Sequence, residues 1–256
     1  MTSRLRRIAA VCAAILALSL PQFASAQEFS APQRGEIERI VRDYLIANPD
    51  VLQEAMAELE KRQTAAEADK QKAGVRQHAE LLFNSPRQVV LGNPKGDVTF
   101  VEFFDYNCGY CKRAMEDMMV LLKADPKLRV VLKEFPVLGP GSVEAAQVGV
   151  AVHMQDKTGK KYLEFHQKLL SGRGQVNKAT AIAAARDIGL NVAQIERDLA
   201  SPQVKATLEE SYTLAQALGL NGTPSYVIGE NVVIGAVGLP ALQESINVAR
   251  CGKPTC

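Results

Sequence analysis

Two cysteines separated by two residues, Cys108 and Cys111, are the side chains of this sequence best suited to covalent chemistry. They follow the β-branched and aromatic run Val98–Phe104, which predicts a short buried strand. They precede residues 112–123, whose apolar residues recur at helical spacing. Such a junction places both sulfurs on the first helical turn, where unpaired N–H groups and the helix dipole stabilise a thiolate. A thiolate attacks disulfides and a nearby thiol can close the ring, so the spacing predicts thiol–disulfide exchange.

Other uses of the cysteine pair fit the sequence less well. Structural zinc usually requires four ligands, and the next cysteines, Cys251 and Cys256, lie far along the chain with no paired histidines nearby. A two-residue loop gains little from an inert disulfide. Copper(I) remains an alternative, because thiolate and thioether ligands suit that ion and three methionines follow the motif, namely Met115, Met118 and Met119. We predict no resident metal and no cofactor, because the two cysteines carry the electrons themselves.

Residues 1–26 have the features of a secretory signal. Three arginines, an apolar run too short to span a membrane and a small-x-small cleavage site succeed one another there. An uncleaved anchor is the alternative. We expect cleavage before Gln27, which removes three of the 30 basic residues and leaves 27 against 28 acidic ones. The resulting formal net charge of −1 gives no indication of nucleic-acid binding.

The cysteine count agrees with export. Five cysteines are present, and Cys12 lies in the expected signal, so the mature chain keeps four. An even number of cysteines in an exported chain indicates an oxidising compartment, and the bacterial periplasm is the simplest location. We predict that Cys251 and Cys256 form a local disulfide that holds the tail. A second redox pair or a soft-metal site is the alternative for these two residues.

Residues 27–86 are predicted to form a helical arm and connector. Two amphipathic helices meet at Asn48-Pro49, where asparagine caps a helix and proline suits its first position. Residues 60–76 are charged and rich in alanine, so they are helical by propensity but have little to bury. The arm either folds back onto the main domain or pairs with copies of itself. The polar connector favours self-association, and we predict a homo-oligomer.

Residues 87–256 show the pattern of a mixed α/β domain. A second predicted strand, residues 128–135, follows the motif helix, and strand, helix and strand form a βαβ unit with a right-handed crossover. A block of helices at about residues 142–218 separates this unit from two short strands and a last helix. The predicted architecture is therefore an α/β fold with a helical insertion.

Two short runs carry a family resemblance. The run FFDYNCGYC (residues 103–111), the helical insertion and the run GTPSYVIG (residues 222–229) together resemble the DsbA family of thioredoxin-fold oxidoreductases. The resemblance covers about residues 87–250. The N-terminal segment resembles the extension of the ScsC (suppressor of copper sensitivity) branch and of related trimeric isomerases of that family. The resemblance implies a thioredoxin fold with a helical insertion, preceded by an N-terminal helical arm that assembles copies of the chain, as a trimer in the related isomerases.

The resemblance also implies roles for individual residues. Cys108 becomes the nucleophile, Cys111 the resolving thiol, and Thr223-Pro224 a cis peptide whose backbone pairs with an extended client. The residues alone leave a trans proline as the default. Gly109-Tyr110, between the cysteines, is expected to contact the client. Multiple thiols in one oligomer suit the shuffling of wrong disulfides.

We therefore predict a periplasmic disulfide isomerase of exported client proteins, served by a membrane redox partner. The alternatives are a DsbA-like oxidase or reductase, and a chaperone-like or copper-binding protein that uses the same surface.

Two charged residues interrupt the apolar strands. Glu102 lies six positions before Cys108, as does the buried glutamate of the resembled family, and a buried carboxylate there can relay a proton to or from Cys111. Lys133 lies in the following strand and has a weaker claim to function, because charges are seldom buried without a partner. The alternative is that both side chains point outward from a sheet edge.

The dipeptide between the cysteines predicts the acidity of Cys108. Gly109-Tyr110 stands where the best-known oxidant of the family has Pro-His, and it places no histidine cation beside the sulfur. We expect Cys108 to be less acidic, and the disulfide less oxidising, than in that oxidant. Titration of thiolate absorbance measures this directly, and a Cys108 pKa as low as about 3.5 would contradict it.

Overall fold

The computed structural model of the chain describes residues 29–256, and the expected signal and its cleavage before Gln27 lie outside the described residues. The strands are β1 (Val89–Gly92), β2 (Val98–Phe104), β3 (Leu128–Glu134), β4 (Ser225–Ile228) and β5 (Asn231–Ile234). The helices are α1 (Ala31–Ala47), α2 (Asp50–Gln77), α3 (Ala79–Phe83), α4 (Gly109–Ala124), α5 (Pro140–Gln155), α6 (Lys160–Ser171), α7 (Lys178–Asp187), α8 (Val192–Asp198), α9 (Pro202–Ala217) and α10 (Leu239–Cys251). None of these helices is long and apolar enough to cross a membrane.

The strands form one mixed sheet in the order β1-β3-β2-β4-β5. The central strands β2 and β3 run parallel, with Val101 opposite Val131, and α4 connects them as in the predicted βαβ unit. The other strands add in antiparallel orientation. Nearly every side chain of β2 and β3 is buried, as expected of strands covered by helices on both faces. The predicted α/β fold is confirmed.

Alternate residues of β2 belong to two different cores. Phe100 and Phe104 pack in the larger core, which also contains residues of α4 and α10. Val101 and Phe103 pack in a second core with residues of α9. Because side chains alternate across a strand, Glu102 lies on the same face as Phe100 and Phe104. The sheet therefore directs Glu102 toward the helix that carries the two cysteines.

The predicted insertion between β3 and β4 is confirmed as five helices, α5 to α9. Its first helix begins at Pro140 with Gly139 as the cap, two residues before the predicted start of the helical block at about residue 142. Proline suits the first turn, which lacks N–H partners in any case, and Gly139 takes a φ of 108° that glycine tolerates best. The hydroxyl of Ser142 accepts a hydrogen bond from the side chain of Asn107.

The described chain divides into two compact units, with the division between Lys61 and Arg62. In the second unit, Val75 of α2 and Leu82 of α3 pack in the core that contains Val101. Residues 62–86 thus belong to the unit that contains the sheet, whereas the sequence placed this boundary near residue 87. In the first unit, apolar side chains of α1 and α2 are exposed, namely Ile37, Ile40, Val41, Tyr44, Leu52, Met56 and Leu59.

A buried ion pair fixes α9 against the sheet. Lys133 is 3% exposed, and its Nζ lies 3.0 Å from Oε1 of Glu210 and 2.7 Å from the carbonyl oxygen of Leu81. The other carboxylate oxygen of Glu210 binds the guanidinium of Arg87. Burial lowers the pKa of Lys133, and the carboxylate of Glu210 opposes that effect. The alternative of an outward-pointing Lys133 is therefore wrong, and its role is structural.

This pair leads to a stability prediction. Glu210→Leu leaves the ammonium of Lys133 buried without its counterion and should lower the free energy of unfolding by about 3 kcal/mol. Adding Lys133→Met to the same chain should restore most of the loss, because no buried charge remains. Urea unfolding followed by circular dichroism measures both values. A double variant no more stable than Glu210→Leu alone would contradict this account.

Candidate active site

The motif cysteines lie where β2 ends and α4 begins. Cys108 is the N-cap of α4, and its Sγ accepts a hydrogen bond from the backbone N–H of Cys111 at 3.4 Å. Both are free thiols. Cys108 is 5% exposed and Cys111 is fully buried, whereas Tyr110 between them is 63% exposed. The helix starts three residues earlier than the apolar spacing suggested, because Cys108 itself caps it.

The loop before β4 faces the same sulfur. The Thr223-Pro224 peptide is cis, and the Sγ of Cys108 lies 3.2 Å from the carbonyl oxygen of Thr223. The carbonyl oxygen of Pro224 accepts the N–H of Gly235 at 2.9 Å, which fixes the loop to the turn after β5. The structure thus brings together Cys108, Cys111 and Thr223-Pro224, from segments more than a hundred residues apart.

The two thiols have opposite acidities. Hydrogen bonds from the Cys111 thiol, the Thr223 side chain and the N–H groups of Cys111 and Tyr110 outweigh burial and lower the pKa of Cys108 to about 6. The hydrogen bond to Cys108, burial and the nearby carboxyl of Glu102 raise the pKa of Cys111. At neutral pH, Cys108 is therefore largely thiolate and Cys111 remains a thiol. This division is the one that a nucleophile and a resolving thiol require.

Glu102 lies beneath the cysteines on β2. Its side chain is 1% exposed, and Oε2 has no hydrogen-bond partner among residues 29–256. Burial, with smaller contributions from Cys108 and Asp117, raises its pKa to about 8. The alternative of an outward-pointing side chain is wrong for Glu102 as well. A carboxyl with this pKa is largely protonated at neutral pH and can exchange a proton near Cys111.

The loop between β2 and Cys108 holds two polar residues that the sequence reading missed. Asp105 is buried, and its carboxylate accepts the N–H groups of Asn107, Val137 and Leu138 at 2.7–2.9 Å. The side-chain amide of Asn107 binds the helical insertion. The available signal was two amide or carboxylate side chains directly after a buried strand, a pattern that is equally typical of a turn.

A second buried polar group lies at the end of β3. Oε1 of Glu134 accepts hydrogen bonds from the hydroxyl groups of Tyr162, at 2.7 Å, and Tyr106, at 3.3 Å. The ring of His166 stacks on Tyr162 and is fully buried. Burial raises the pKa of Glu134 well above its ordinary value and lowers the pKa of His166 to about 3. These buried groups tie the segment before the motif to α6.

The structure also locates the other residues singled out from the sequence. Met115 and Met118 are buried in the larger core, and the partly buried Met119 packs against it. Within residues 29–256, no cluster of three or more histidine, cysteine or acidic side chains is arranged to hold a metal ion. Cys251 and Cys256 form a disulfide at the end of α10. Gly109 is exposed in the first turn of α4.

Two family profiles match the chain. The DSBA-like thioredoxin domain matches residues 99–247, more than half of the chain, and includes both motif cysteines and Thr223-Pro224. The copper resistance protein ScsC N-terminal domain matches residues 33–66, which form α1 and the first part of α2. The resemblance to the DsbA family, with an N-terminal extension of the ScsC branch, is confirmed.

Solved structures agree with the profiles. A thioredoxin-like oxidoreductase from Silicibacter pomeroyi DSS-3 is 46% identical, covering 67% of this chain and 96% of that one, with a TM-score of 0.64. A linker-deletion mutant of Proteus mirabilis ScsC is 27% identical, covering 88% and 98%, with a TM-score of 0.65. The thiol-disulfide exchange protein alpha-DsbA2 from Wolbachia pipientis is 27% identical, covering 72% and 97%, with a TM-score of 0.66. The predicted thioredoxin fold is confirmed.

Curated relatives include longer proteins. The Na⁺/H⁺ antiporter NhaA 1 of Salinispora arenicola is 25% identical over 65% of this chain, and the chain spans 25% of that relative's length.

The pKa of Glu102 predicts a pH-dependent stability. Between pH of about 4.5, where an ordinary glutamate titrates, and pH of about 8, Glu102 keeps a proton in the folded chain that it has released in the unfolded chain. Stability therefore falls as pH rises through that window. Glu102→Gln removes this loss, so its free energy of unfolding relative to wild type should rise by about 4 kcal/mol between pH 4.5 and 8.

Urea unfolding of the reduced protein at both pH values measures this difference. Glu116→Gln is the control, because it removes a carboxylate from the exposed face of α4, the helix that carries the cysteines. A difference between Glu102→Gln and wild type that does not change with pH would contradict the prediction.

Proposed function

The chain belongs to the DSBA-like thioredoxin domain family, a family of thiol–disulfide oxidoreductases, and from that premise we propose that it isomerises disulfides of exported client proteins through Cys108 and Cys111. The observation that carries the proposal is the position of the Cys108 sulfur, which accepts a backbone N–H in the first turn of α4 and lies 3.2 Å from the carbonyl oxygen of Thr223. A stabilised thiolate beside a backbone segment able to hold a peptide suits attack on a disulfide in an extended client.

Isomerisation proceeds in two exchanges. The Cys108 thiolate attacks one sulfur of a client disulfide, so that an enzyme–client disulfide forms and the other client sulfur leaves as a thiolate. A different client thiolate then attacks the client sulfur of the mixed disulfide, forms a new client disulfide and regenerates the Cys108 thiolate. No net electrons are transferred. The low pKa of Cys108 makes it a good leaving group in the second step.

Cys111 provides an escape when the client does not rearrange. It loses its proton and attacks Cys108, which releases the client as a thiol and leaves the enzyme oxidised. Glu102 is the group placed to receive that proton or return it, since its raised pKa lies close to neutrality. A membrane redox partner that returns two electrons would reset the pair.

Client binding is assigned to the surface around Cys108. The backbone of Thr223 lies beside the sulfur and can pair with a client strand, while Pro224 holds the loop in place. Tyr110 projects into solvent from the first turn of α4 and provides an apolar face for the client beside Gly109. Residues 1–26 are assigned to export, which places the mature chain in the periplasm.

Self-association through the arm supports isomerisation over one-way transfer. The exposed apolar residues of α1 and the first part of α2 occur at helical spacing, within the segment that matches the ScsC N-terminal domain. Burying such a stripe between copies, three in the resembled isomerases, would present several Cys108 thiolates to one client. One-way oxidation is the second candidate, since a thiolate with a pKa near 6 favours the reduced state of the pair.

Refolding of a client with scrambled disulfides, by the reduced mature chain, tests both parts of the proposal. Cys108→Ala should abolish isomerisation, because the attacking sulfur is gone. Ile40→Glu should lower the solution mass to that of one chain and reduce isomerisation by about tenfold, since the effective concentration of thiols is lost. Reduction of a small synthetic disulfide should not change in Ile40→Glu.

Gly35→Glu is the control for the arm. It adds the same charge to α1 at a position where an added Cβ meets nothing within 4 Å. Full isomerisation by Cys108→Ala would favour a chaperone-like holder. Full isomerisation by a dissociated Ile40→Glu chain would separate the activity from assembly.

A further inference from the structure

Asn107, the residue before Cys108, joins the motif loop to the helical insertion. Its Nδ2 donates hydrogen bonds to Oγ of Ser142 and to the carbonyl oxygen of Val176, each at 2.9 Å. Its Oδ1 accepts the N–H of Val176 at 2.7 Å. The amide thus pairs with both backbone groups of one residue, as a neighbouring strand would. The two donated hydrogen bonds use both N–H groups of Nδ2, and the accepted one occupies one of the two acceptor sites of Oδ1.

Asp105 holds the other end of the same loop. Its carbonyl oxygen accepts the N–H of Cys108 at 3.1 Å, and its carboxylate accepts the N–H of Asn107 at 2.7 Å. The second carboxylate oxygen binds the N–H groups of Val137 and Leu138 in the loop after β3. The loop therefore has one anchor on the sheet side and one on the insertion.

The first turn of α5 lies close to Asn107. At Gly141, an added Cβ would come within 2.8 Å of the carbonyl oxygen of Val176 and 3.9 Å of Nδ2 of Asn107. A side chain at Gly141 would push the Val176 segment away from the amide. Glycine at this position thus permits the insertion to approach the motif loop closely enough for the hydrogen bonds of Asn107.

We propose that Asn107 is a positioning residue that anchors the motif loop to the insertion and thereby keeps the Cys108 sulfur at the N-terminus of α4 and against Thr223. The sulfur accepts the N–H of Cys111 only while Cys108 keeps its extended N-cap conformation, with φ −78° and ψ 114°. The residue before an N-cap directs the entry of the chain into the helix. This inference deepens the proposed function, on which it rests.

The consequence concerns thiolate stability. Without the anchor, the loop can move and Cys108 spends part of its time away from the helix N–H groups, so the thiolate loses part of their stabilisation. The other titratable groups near the sulfur are Glu102 on β2, Cys111 on α4 and Tyr226 on β4, and Asp117 on α4 acts on Glu102 and Tyr226. Below pH 7, Glu102, Cys111 and Tyr226 stay largely protonated, so a change in thiolate absorbance in that range reports on Cys108.

Titration of thiolate absorbance in the reduced mature chain, from pH 4 to pH 8, tests the proposal. Asn107→Ala should move the midpoint for Cys108 upward by about one pH unit, which lowers the thiolate fraction at pH 6 about fivefold. Ser142→Ala removes one of the three hydrogen bonds and should shift the midpoint in the same direction by less.

Gln155→Ala is a matched control. The amide of Gln155 also pairs with both backbone groups of one residue, Asn191, where Nε2 donates to the carbonyl oxygen and Oε1 accepts the N–H. Like Val176, Asn191 lies at the start of an insertion helix, but Gln155 ends α5 and does not touch the motif loop. Its loss should leave the Cys108 midpoint unchanged, whatever it does to stability.

An unchanged midpoint in Asn107→Ala, or equal shifts in Asn107→Ala and Gln155→Ala, would overturn the inference and leave Asn107 a purely structural residue. If Asn107→Ala does not fold, Ser142→Ala decides by the same criterion. The titration uses no client, so the two proposals fail separately. A wild-type chain that titrates as expected but does not isomerise clients would refute the proposed function alone.

Discussion

The stabilisation of a negative charge on the Cys108 sulfur is the interaction on which the rest of the site depends. A sulfur with little exposure to water needs hydrogen-bond donors from the protein, or burial would keep it neutral. The Cys111 thiol and the N–H groups of the first turn of α4 provide them, because the start of a helix leaves its N–H groups without backbone partners. The same cysteine in mid-helix would find every donor already occupied. Position at the N-cap, as much as residue type, makes this thiol reactive.

The period of the sheet decides which charged residue lies near the cysteines. Side chains of β2 and β3 alternate between faces, and the register sets Glu102 opposite Leu132 and Lys133 opposite Phe103. Glu102 therefore lies on the face of the sheet that α4 covers, where its raised pKa keeps it largely protonated beneath the cysteines. Lys133 lies on the opposite face and is neutralised by Glu210. Two ionisable residues that look equivalent in the sequence thus have different surroundings, and a one-residue change of register would exchange the faces on which they lie.

Local patterns were sufficient for the motif, its strand and helix, and the insertion, because each depends on residues close together in sequence. Contacts between distant segments were not readable. The amide of Asn107 bonds to Val176, 69 residues away, so from the sequence it is indistinguishable from an ordinary turn residue. The end of α2 looked polar, yet Gly74 lets it approach the carbonyl of Ala217 and Val75 completes a core. The burial of Glu102 likewise depends on helices, distant in sequence, that cover its face of the sheet.

The composition of α2 follows from serving two different surfaces. Near its C-terminus, Val75 and Gly74 are enough to pack α2 into a core, because the sheet and α9 supply the other side chains of that core. Near its N-terminus, Leu52, Met56 and Leu59 are exposed together with the stripe of α1. Burial of each such side chain is worth about 1.5–3 kcal/mol, so the stripe favours association. The charged and alanine-rich middle has no apolar face to add. The two ends of α2 therefore differ in composition, because the apolar residue near its C-terminus is buried in a core and those near its N-terminus are exposed.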